Sequence, residues 1–224
     1  MKSAYVVSLA GLLERLHAAG VTTTYANIDA SHIAEQRDSL VHYALQSKAT
    51  HVLFIDSDMK FAPDLAEIFL AFGQPFVGAI YARRKLDFDK VEAALAQGSD
   101  LKRALAQGHE FIVQIERQDM REDGFCRVKH LGFGFALVAR ECFETMAQRL
   151  TLRRYPGRYV KGELVGFFQE LTADDGRQTS EDISFCQRWR ECGGEVWGYA
   201  LSDIKHVGDF AYGGSFASLF GNRS

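Results

Sequence analysis

Two short runs of apolar residues, set between helical patterns, constrain the fold more than any other feature of this sequence. The runs cover residues 51–55 and 76–80, and they lack the strict polar alternation of a strand with one face in water. Apolar residues at helical spacing precede the first run, and Pro63 opens a further helical pattern that ends near Gly73. Buried strands that alternate with helices predict an α/β fold with a mainly parallel open sheet, covered by helices on both faces.

The remainder of the chain extends this pattern with further helices and strands. The predicted helices cover residues 4–20, 31–46, 140–150 and 181–192, and the predicted strands cover 21–28, 111–115, 125–131, 136–138 and 195–199. Residues 86–108 are rich in alanine and predict short exposed helices. Residues 151–179 show little periodicity, and a long loop of this kind predicts a mobile lid.

Composition limits the classes of protein that this chain can represent. It has 224 residues, of which 47% are hydrophobic, so we expect a single domain over residues 1–224 with a substantial core. Lys and Arg total 26 against 29 Asp and Glu, which leaves no basic excess for binding nucleic acid. No apolar stretch approaches the roughly 20 residues that span a bilayer. The four cysteines lack metal-binding or disulfide spacing, which predicts reduced thiols in a cytoplasmic protein.

Asp56 and Asp58 follow directly after the apolar run HVLFI. Open α/β sheets bind ligands beyond the carboxyl ends of their strands, which is where these two carboxylates are expected. Two carboxylates so close together repel each other unless a cation lies between them, and a hard divalent cation with oxygen ligands would satisfy both. The alternative interpretation is structural, because Asp residues also end strands and begin helices.

Other interpretations of the same residues lead to different functions. A calcium loop of the EF-hand type is excluded, because Phe61 stands at the position where such a loop requires glycine. LFIDSDM also resembles the first motif of haloacid-dehalogenase phosphatases, in which the first Asp is the nucleophile, although Lys60 replaces the threonine of that motif. A module that binds a nucleotide sugar without catalysis remains a third hypothesis.

Further carboxylates and a histidine lie in the second half of the chain. Glu181 and Asp182 open a predicted helix, where acidic residues stabilise the helix dipole and where one of them could also serve as a general base. His206 follows a polar cluster near the end of the sequence. An isolated histidine is usually structural, although neutral imidazole also binds Mn²⁺ and similar ions.

Taken together, five blocks resemble glycosyltransferases of the GT-A fold, close to the small family-2-like enzymes of bacteria and viruses. They occur in the order HVLFIDSDMKFAPD, FVGAIYARR, HLGFGFALVARECFETM, TSEDISFCQRWRECGGEVW and IKHVGDFAYGG, and they extend from His51 to Gly214. The first resembles the strand and metal-binding DxD motif of that family. The fourth matches its ED-containing helix, and the last resembles its terminal His-Val-Gly segment.

The resemblance implies a role for each matching residue. Asp58, assisted by Asp56, would bind Mn²⁺ or Mg²⁺ on a UDP- or GDP-linked sugar, with His206 as a further metal ligand. Asp182 would deprotonate a hydroxyl of a glycan or other acceptor in an inverting transfer, with Glu181 beside it in acceptor binding.

Two departures from the family pattern accompany this resemblance. Arg37, in EQRDS, takes the place of the arginine of an Ala-Arg-Asn segment and is expected to contact the donor, with Gln36 and Asp38 replacing Ala and Asn. The helical pattern starts at Ala4, so we also expect a GT-A fold without its usual first strand, which forms part of the nucleotide base pocket.

Overall fold

The computed structural model describes residues 2–116, 120–173, 175–208 and 211–220. Its helices are α1 (Ser3–Ala18), α2 (Ile33–Gln46), α3 (Leu65–Phe72), α4 (Phe88–Ala96), α5 (Leu101–Gly108), α6 (Arg140–Arg149), α7 (Glu181–Glu191) and a 3₁₀ helix (Phe216–Phe220). Its strands are β1 (His51–Ile55), β2 (Met59–Lys60), β3 (Phe76–Ala79), β4 (Ala82–Leu86), β5 (His109–Phe111), β6 (Val113–Ile115), β7 (Phe125–Leu131), β8 (Phe135–Ala139), β9 (Arg154–Pro156), β10 (Glu163–Val165), β11 (Val196–Tyr199), β12 (Lys205–Val207) and β13 (Ala211–Tyr212).

A mixed six-stranded sheet forms the centre of the fold, in the order β1-β8-β3-β11-β7-β6. The prediction of a mainly parallel sheet was wrong, because among these described strands only β3 and β11 pair in parallel. The strands β1 and β3 do run in the same direction, as predicted. However, β8 lies between them and is antiparallel to both. The spacing of apolar residues indicates where strands form but not which strands become neighbours, so it does not place β8 between β1 and β3.

Helices cover both faces of this sheet, and each face has its own core. Successive residues of a strand point to opposite faces, so Phe135 and Leu137 belong to one core while Ala136 and Val138 belong to the other. The first core includes Leu12 of α1 and Phe69 of α3. The second includes residues of α2, α6 and α7. The fold is therefore α/β, with a central sheet that is buried on both sides.

Two predicted strands differ from the observed structure. Residues 21–28 have no regular secondary structure, although their β-branched residues favour a strand. Most of them are exposed, and no strand of the described chain pairs with them, so the intrinsic preference has no ladder to stabilise it. The predicted strand 111–115 is interrupted at Ile112, which separates β5 from β6. The segment between the predicted strands 111–115 and 125–131 includes residues 117–119, which lie outside the described residues.

Two small substructures extend from the central sheet. The strands β4 and β5 pair in an antiparallel arrangement, and α4 and α5 lie between them, which confirms the short exposed helices predicted there. On the same side of the molecule, β12 pairs with both β2 and β13. Residues 209 and 210, part of the last sequence block, lie outside the described residues. Within the described ranges, we find no helix that is both long enough and apolar enough to cross a membrane.

Candidate active site

The chain leaves β1 at Asp56 on an edge of the sheet where several other segments also end. The Asp56 N–H donates to the Gly134 carbonyl at 3.1 Å, and the Gly132–Gly134 connection joins β7 to β8 at this edge. Tyr81 follows β3, which runs in the same direction as β1, so it reaches the same place. The predicted position of Asp56 and Asp58 beyond the carboxyl end of a strand is thus confirmed, although β1 is an edge strand of the central sheet in which only Phe54 is buried.

Arg37 of α2 forms the centre of one ionic cluster at this edge. Its Nη1 donates to Glu181 Oε1 at 3.0 Å and also to Asp182 Oδ1. Its Nη2 lies 3.4 Å from Asp56 Oδ1. Three of the predicted site residues therefore share one guanidinium, which we call the Arg37 cluster. The Arg37 side chain is only 5% exposed, so its pairs with Glu181 and Asp182 are shielded from water, whereas Asp56 is 35% exposed.

Two aromatic rings contact the Arg37 guanidinium, one from the Gly132–Gly134 connection and one from the loop after β10. The guanidinium carbon lies 5.2 Å from the ring centre of Phe133 and 5.6 Å from that of Phe168. Arginine is suited to this environment because its planar cation stacks on rings and is weakly hydrated. Burial lowers the pKa of Arg37, but the carboxylates of Asp182, Asp56 and Glu181 outweigh that effect, so the group is charged.

Asp182 lies at the start of α7, with its two oxygens engaged separately. Oδ1 accepts from Arg37, and Oδ2 accepts from the Phe133 N–H at 3.2 Å. Burial raises the pKa of Asp182 to about 6, Arg37 opposes this rise, and the charges of Glu181 and Asp56 add to it. A carboxylate whose pKa is close to neutrality is the kind of group that accepts a proton and releases it again in general base catalysis.

Tyr81 connects this cluster to the glycines of the GFGF sequence. Its hydroxyl oxygen accepts from the Gly134 N–H at 2.9 Å. A side chain at Gly134 would place its Cβ 2.7 Å from that oxygen, and Gly132 is closed to a side chain by the same hydroxyl. Burial raises the pKa of Tyr81 well above its ordinary value, so the hydroxyl keeps its proton. The GFGF sequence has glycine at positions 132 and 134 because the buried Tyr81 ring fills the space that a side chain would need there.

Asp58 belongs to a second group, which we call the Asp58 cluster. Its Oδ2 lies 3.1 Å from His206 Nε2 on β12 and 3.4 Å from Arg84 Nη1 on β4. Burial raises the pKa of Asp58, but the hydrogen bond and charge of His206 and the charge of Arg84 outweigh it, so the pKa lies below its ordinary value. Asp58 is therefore ionised at neutral pH. The His206 ring also lies edge-on to Tyr81, with 5.8 Å between ring centres.

The Asp58 cluster offers two of the ligands expected for a divalent cation. The 3.1 Å between His206 Nε2 and Asp58 Oδ2 is a hydrogen bond to an ionised carboxylate, so Nε2 donates here and would have to lose this proton for both atoms to bind one ion. Within the described part of the chain, no group of three or more His, Cys, Asp or Glu side chains is positioned to hold a metal ion. The residues thus fit an ion that takes its other ligands from phosphate oxygens and water, as Mg²⁺ commonly does.

The structure divides the six predicted site residues between these two clusters. Arg37, Asp56, Glu181 and Asp182 form the first, while Asp58 and His206 form the second. Asp56 was expected to assist Asp58, and in the structure its Oδ1 faces Arg37 instead. Arg37 was expected to contact the donor, and its guanidinium is occupied by carboxylates. Their roles towards a donor and a metal ion stay predictions.

Tyr81, Arg84 and Asp38 also contact residues of the two clusters or of the adjoining loops, although no role was predicted for them from the sequence. Asp38 is 1% exposed and accepts from Tyr155 Oη at 2.6 Å, from the Phe168 N–H at 3.0 Å and from Gln169 Nε2 at 3.2 Å. It thereby fixes the segment that follows α6, where β9 and β10 form a hairpin. The only indication of this role in the sequence is that Asp38 is a charged residue next to Arg37 in a predicted helix. The mobility predicted for residues 151–179 stays a prediction, and residue 174 lies outside the described residues.

Comparisons with known proteins give little beyond this description. No family model and no curated protein matches the chain. Among solved structures, the chain is similar to A197 from STIV, with 17% sequence identity and a TM-score of 0.47 over 89% of this chain and 79% of that one. Membership of the family that the five sequence blocks resemble therefore stays a prediction, and the site is described from contacts within this chain.

Proposed function

We propose that this protein is a metal-dependent glycosyltransferase that moves a sugar from a nucleotide-diphosphate donor to a hydroxyl of a glycan or other acceptor. One observation carries the proposal. Asp182, a largely buried carboxylate with a pKa near neutrality, and the ionised Asp58 beside His206 lie at the same sheet edge, close to Tyr81. A transferase of this kind needs both a base for the acceptor and a site for the diphosphate.

The Arg37 cluster supplies the base in this proposal. Asp182 accepts the proton of the acceptor hydroxyl while the new bond to the anomeric carbon forms and the bond from that carbon to the donor phosphate oxygen breaks. Attack from the side opposite the leaving group inverts the anomeric carbon. Arg37 and the Phe133 N–H hold the two oxygens of Asp182 in place, and Glu181 is available to bind the acceptor.

The Asp58 cluster binds the donor diphosphate. Asp58 and His206 would hold Mn²⁺ or Mg²⁺, with Asp56 beside them on the connection from β1. When bound, the cation neutralises the charge that develops on the departing nucleoside diphosphate. Tyr81 separates this site from the base without adding charge, because its hydroxyl stays protonated.

Thermal denaturation with UDP or GDP, in the presence and absence of Mn²⁺, tests the proposal. A ligand at about 100 times its Kd stabilises the folded state by about 2.7 kcal/mol, so a Mn²⁺-dependent rise in Tm is expected with one of the two nucleotides. Asp58→Ala should abolish this rise. Asp182→Asn should keep it while stopping transfer, measured as acceptor-dependent release of the nucleoside diphosphate from a nucleotide sugar.

Three outcomes would contradict the proposal. Equal loss of nucleotide binding in Asp58→Ala and Asp182→Asn would contradict the division into a donor site and a base. Phosphate release from a generic phosphomonoester, without any effect of nucleotide on Tm, would instead support the hydrolase hypothesis with Asp56 as nucleophile. A Mn²⁺-dependent Tm rise without transfer to any hydroxyl acceptor tested would support the binding module.

A further inference from the structure

Arg84 contacts the same oxygen of Asp58 that faces His206. Its Nη1 lies 3.4 Å from Asp58 Oδ2, and His206 Nε2 lies 3.1 Å from that oxygen. A positively charged group is thus already present at the carboxylate to which the proposed function assigns a divalent cation. A guanidinium and a divalent cation repel each other, so binding of a cation to this oxygen weakens the ion pair between Arg84 and Asp58.

The structure leaves Arg84 free to move away from Asp58. Its side chain is 51% exposed, and an exposed ion pair contributes little free energy because water competes for both charges. Gly208 lies alongside its stem, where an added Cβ would approach Arg84 Cδ to 3.1 Å. The glycine therefore leaves space beside the aliphatic part of the arginine, which a larger residue would restrict.

The guanidinium also suits the ligand that the cation would bring with it. Arginine donates paired hydrogen bonds to phosphate oxygens, and its charge does not depend on pH in the range where proteins are stable. A diphosphate bound to a cation on Asp58 would place its oxygens beside Arg84. The arginine could then exchange a carboxylate partner for a phosphate partner without losing its charge pairing.

We propose that Arg84 occupies the cation position on Asp58 when no donor is bound, and that it binds the donor diphosphate when the cation takes that position. This inference rests on the proposed function and adds a residue to its donor site. It predicts that cation and nucleotide assist each other in binding, because the nucleotide provides Arg84 with an alternative partner. By thermodynamic linkage, each must raise the affinity of the other by the same factor.

The chain provides a matched control in the adjacent residue. Arg83 has nearly the same exposure, 55%, and lies on the same strand, but its Nε lies 3.5 Å from Glu110 instead of Asp58. Arg83→Gln and Arg84→Gln therefore remove the same charge from neighbouring positions. Arg84→Lys keeps the charge but lacks the paired donors of arginine.

Two binding constants measured on the full chain test the inference. Mn²⁺ binding without nucleotide is measured by electron paramagnetic resonance of the free ion, and UDP and GDP binding at saturating Mn²⁺ is measured by calorimetry. Arg84→Gln should bind Mn²⁺ about two- to fivefold more tightly, because it removes a competing cation. It should bind the nucleotide about ten- to a hundredfold more weakly, because it removes a charged phosphate contact. Arg84→Lys should weaken nucleotide binding by less, and Arg83→Gln should change neither constant more than about twofold.

The opposite directions of the two effects separate this inference from a general structural disturbance. Weaker Mn²⁺ binding in Arg84→Gln, or nucleotide binding equal to that of Arg83→Gln, would overturn it and leave the proposed function standing. Absence of Mn²⁺-dependent nucleotide binding in the wild-type protein would overturn both.

Discussion

The two ionic clusters differ in their access to water, although both surround the same short connection after β1. In the Arg37 cluster, a guanidinium that is 5% exposed pairs with three carboxylates. In the Asp58 cluster, a guanidinium that is 51% exposed pairs with one carboxylate, which also faces a histidine. Burial strengthens charge pairing and makes any unpaired charge costly, whereas exposure makes partners exchangeable. The first arrangement suits a fixed base, and the second suits a site that binds and releases an ionic ligand.

The largest expected effect comes from removing the buried cation. Arg37→Gln takes the shared cation away from Glu181, Asp182 and Asp56, and breaking a buried ion pair typically costs about 3–5 kcal/mol of the free energy of unfolding. Urea denaturation at neutral pH measures this loss. Arg37→Lys retains the charge and should lose less, which keeps the measurement possible if the glutamine variant does not fold. A loss below about 1 kcal/mol would show that burial does not distinguish the two clusters.

A smaller loss is expected in the contacts that fix the neighbouring hairpin. Tyr155→Phe removes the hydroxyl that donates to Asp38 at 2.6 Å, and a hydrogen bond to an ionised group contributes about 1.5–3 kcal/mol. Chemical denaturation of both proteins at neutral pH gives the difference. Tyr43→Phe is the control, because that tyrosine is half exposed on the helix that carries Asp38. Similar stabilities for the two variants would mean that the Asp38 contacts do not hold the hairpin.

The stability contributed by Asp38 should depend on pH. Burial raises its pKa from 3.8 to about 6, although the hydrogen bonds from Tyr155, Phe168 and Gln169 oppose the rise. The folded state therefore binds a proton more tightly than the unfolded state. The contribution is fully present below about pH 4 and is lost as pH rises through about 6. The stability of the wild type relative to Asp38→Asn should fall across this window, and a difference that stays constant or rises would contradict the assignment.

The smallest effect on stability is expected in the Asp58 cluster. Arg84→Gln should change the free energy of unfolding by less than about 1 kcal/mol, because the pair that it removes is exposed. That small difference should shrink further in about 1 M NaCl, where exposed charges are screened, whereas the loss in Arg37→Gln should persist. Thermal denaturation of both variants at low and high salt measures the two responses. A salt-dependent loss in Arg37→Gln would contradict the shielded character of its cluster.

Much of the secondary structure was predictable because it depends on local patterns. The helices α1, α2, α6 and α7 and the strands β1 and β7 lie where the periodicity indicates, and Gly73 ends α3 in the left-handed conformation that favours glycine. The strand predicted over 21–28 was wrong because strand formation needs a partner, and a local pattern does not supply one. The direction of neighbouring strands was mispredicted for the same reason.

The candidate site was predictable as a set of residues but not as an arrangement. The prediction grouped Asp56 with Asp58 because they are close in sequence, yet their side chains face different partners. An extended strand would place residues 56 and 58 on the same face, but the chain turns here, with the Met59 N–H donating to the Asp56 carbonyl, so the turn and the packing around it decide what each side chain contacts. Tyr81 and Arg84 lie in the block FVGAIYARR, and Asp38 takes the place of Asn after Arg37, but these patterns assigned no role to the three residues, whose contacts only the structure gives.

The sequence by itself determined the helices, the buried strands and the placement of carboxylates at the ends of those elements, because these follow from the spacing of apolar residues and turn-forming residues along the chain. The tertiary structure alone decided that Arg37 meets Asp182, which is 145 positions away, and that Asp58 meets His206, which is 148 positions away. Contacts between such distant residues depend on strand order and on the packing of helices against both faces of the sheet. The packing also determines the raised pKa of Asp182, through burial and neighbouring charges, and the accessibility of Asp58, through its partly exposed position.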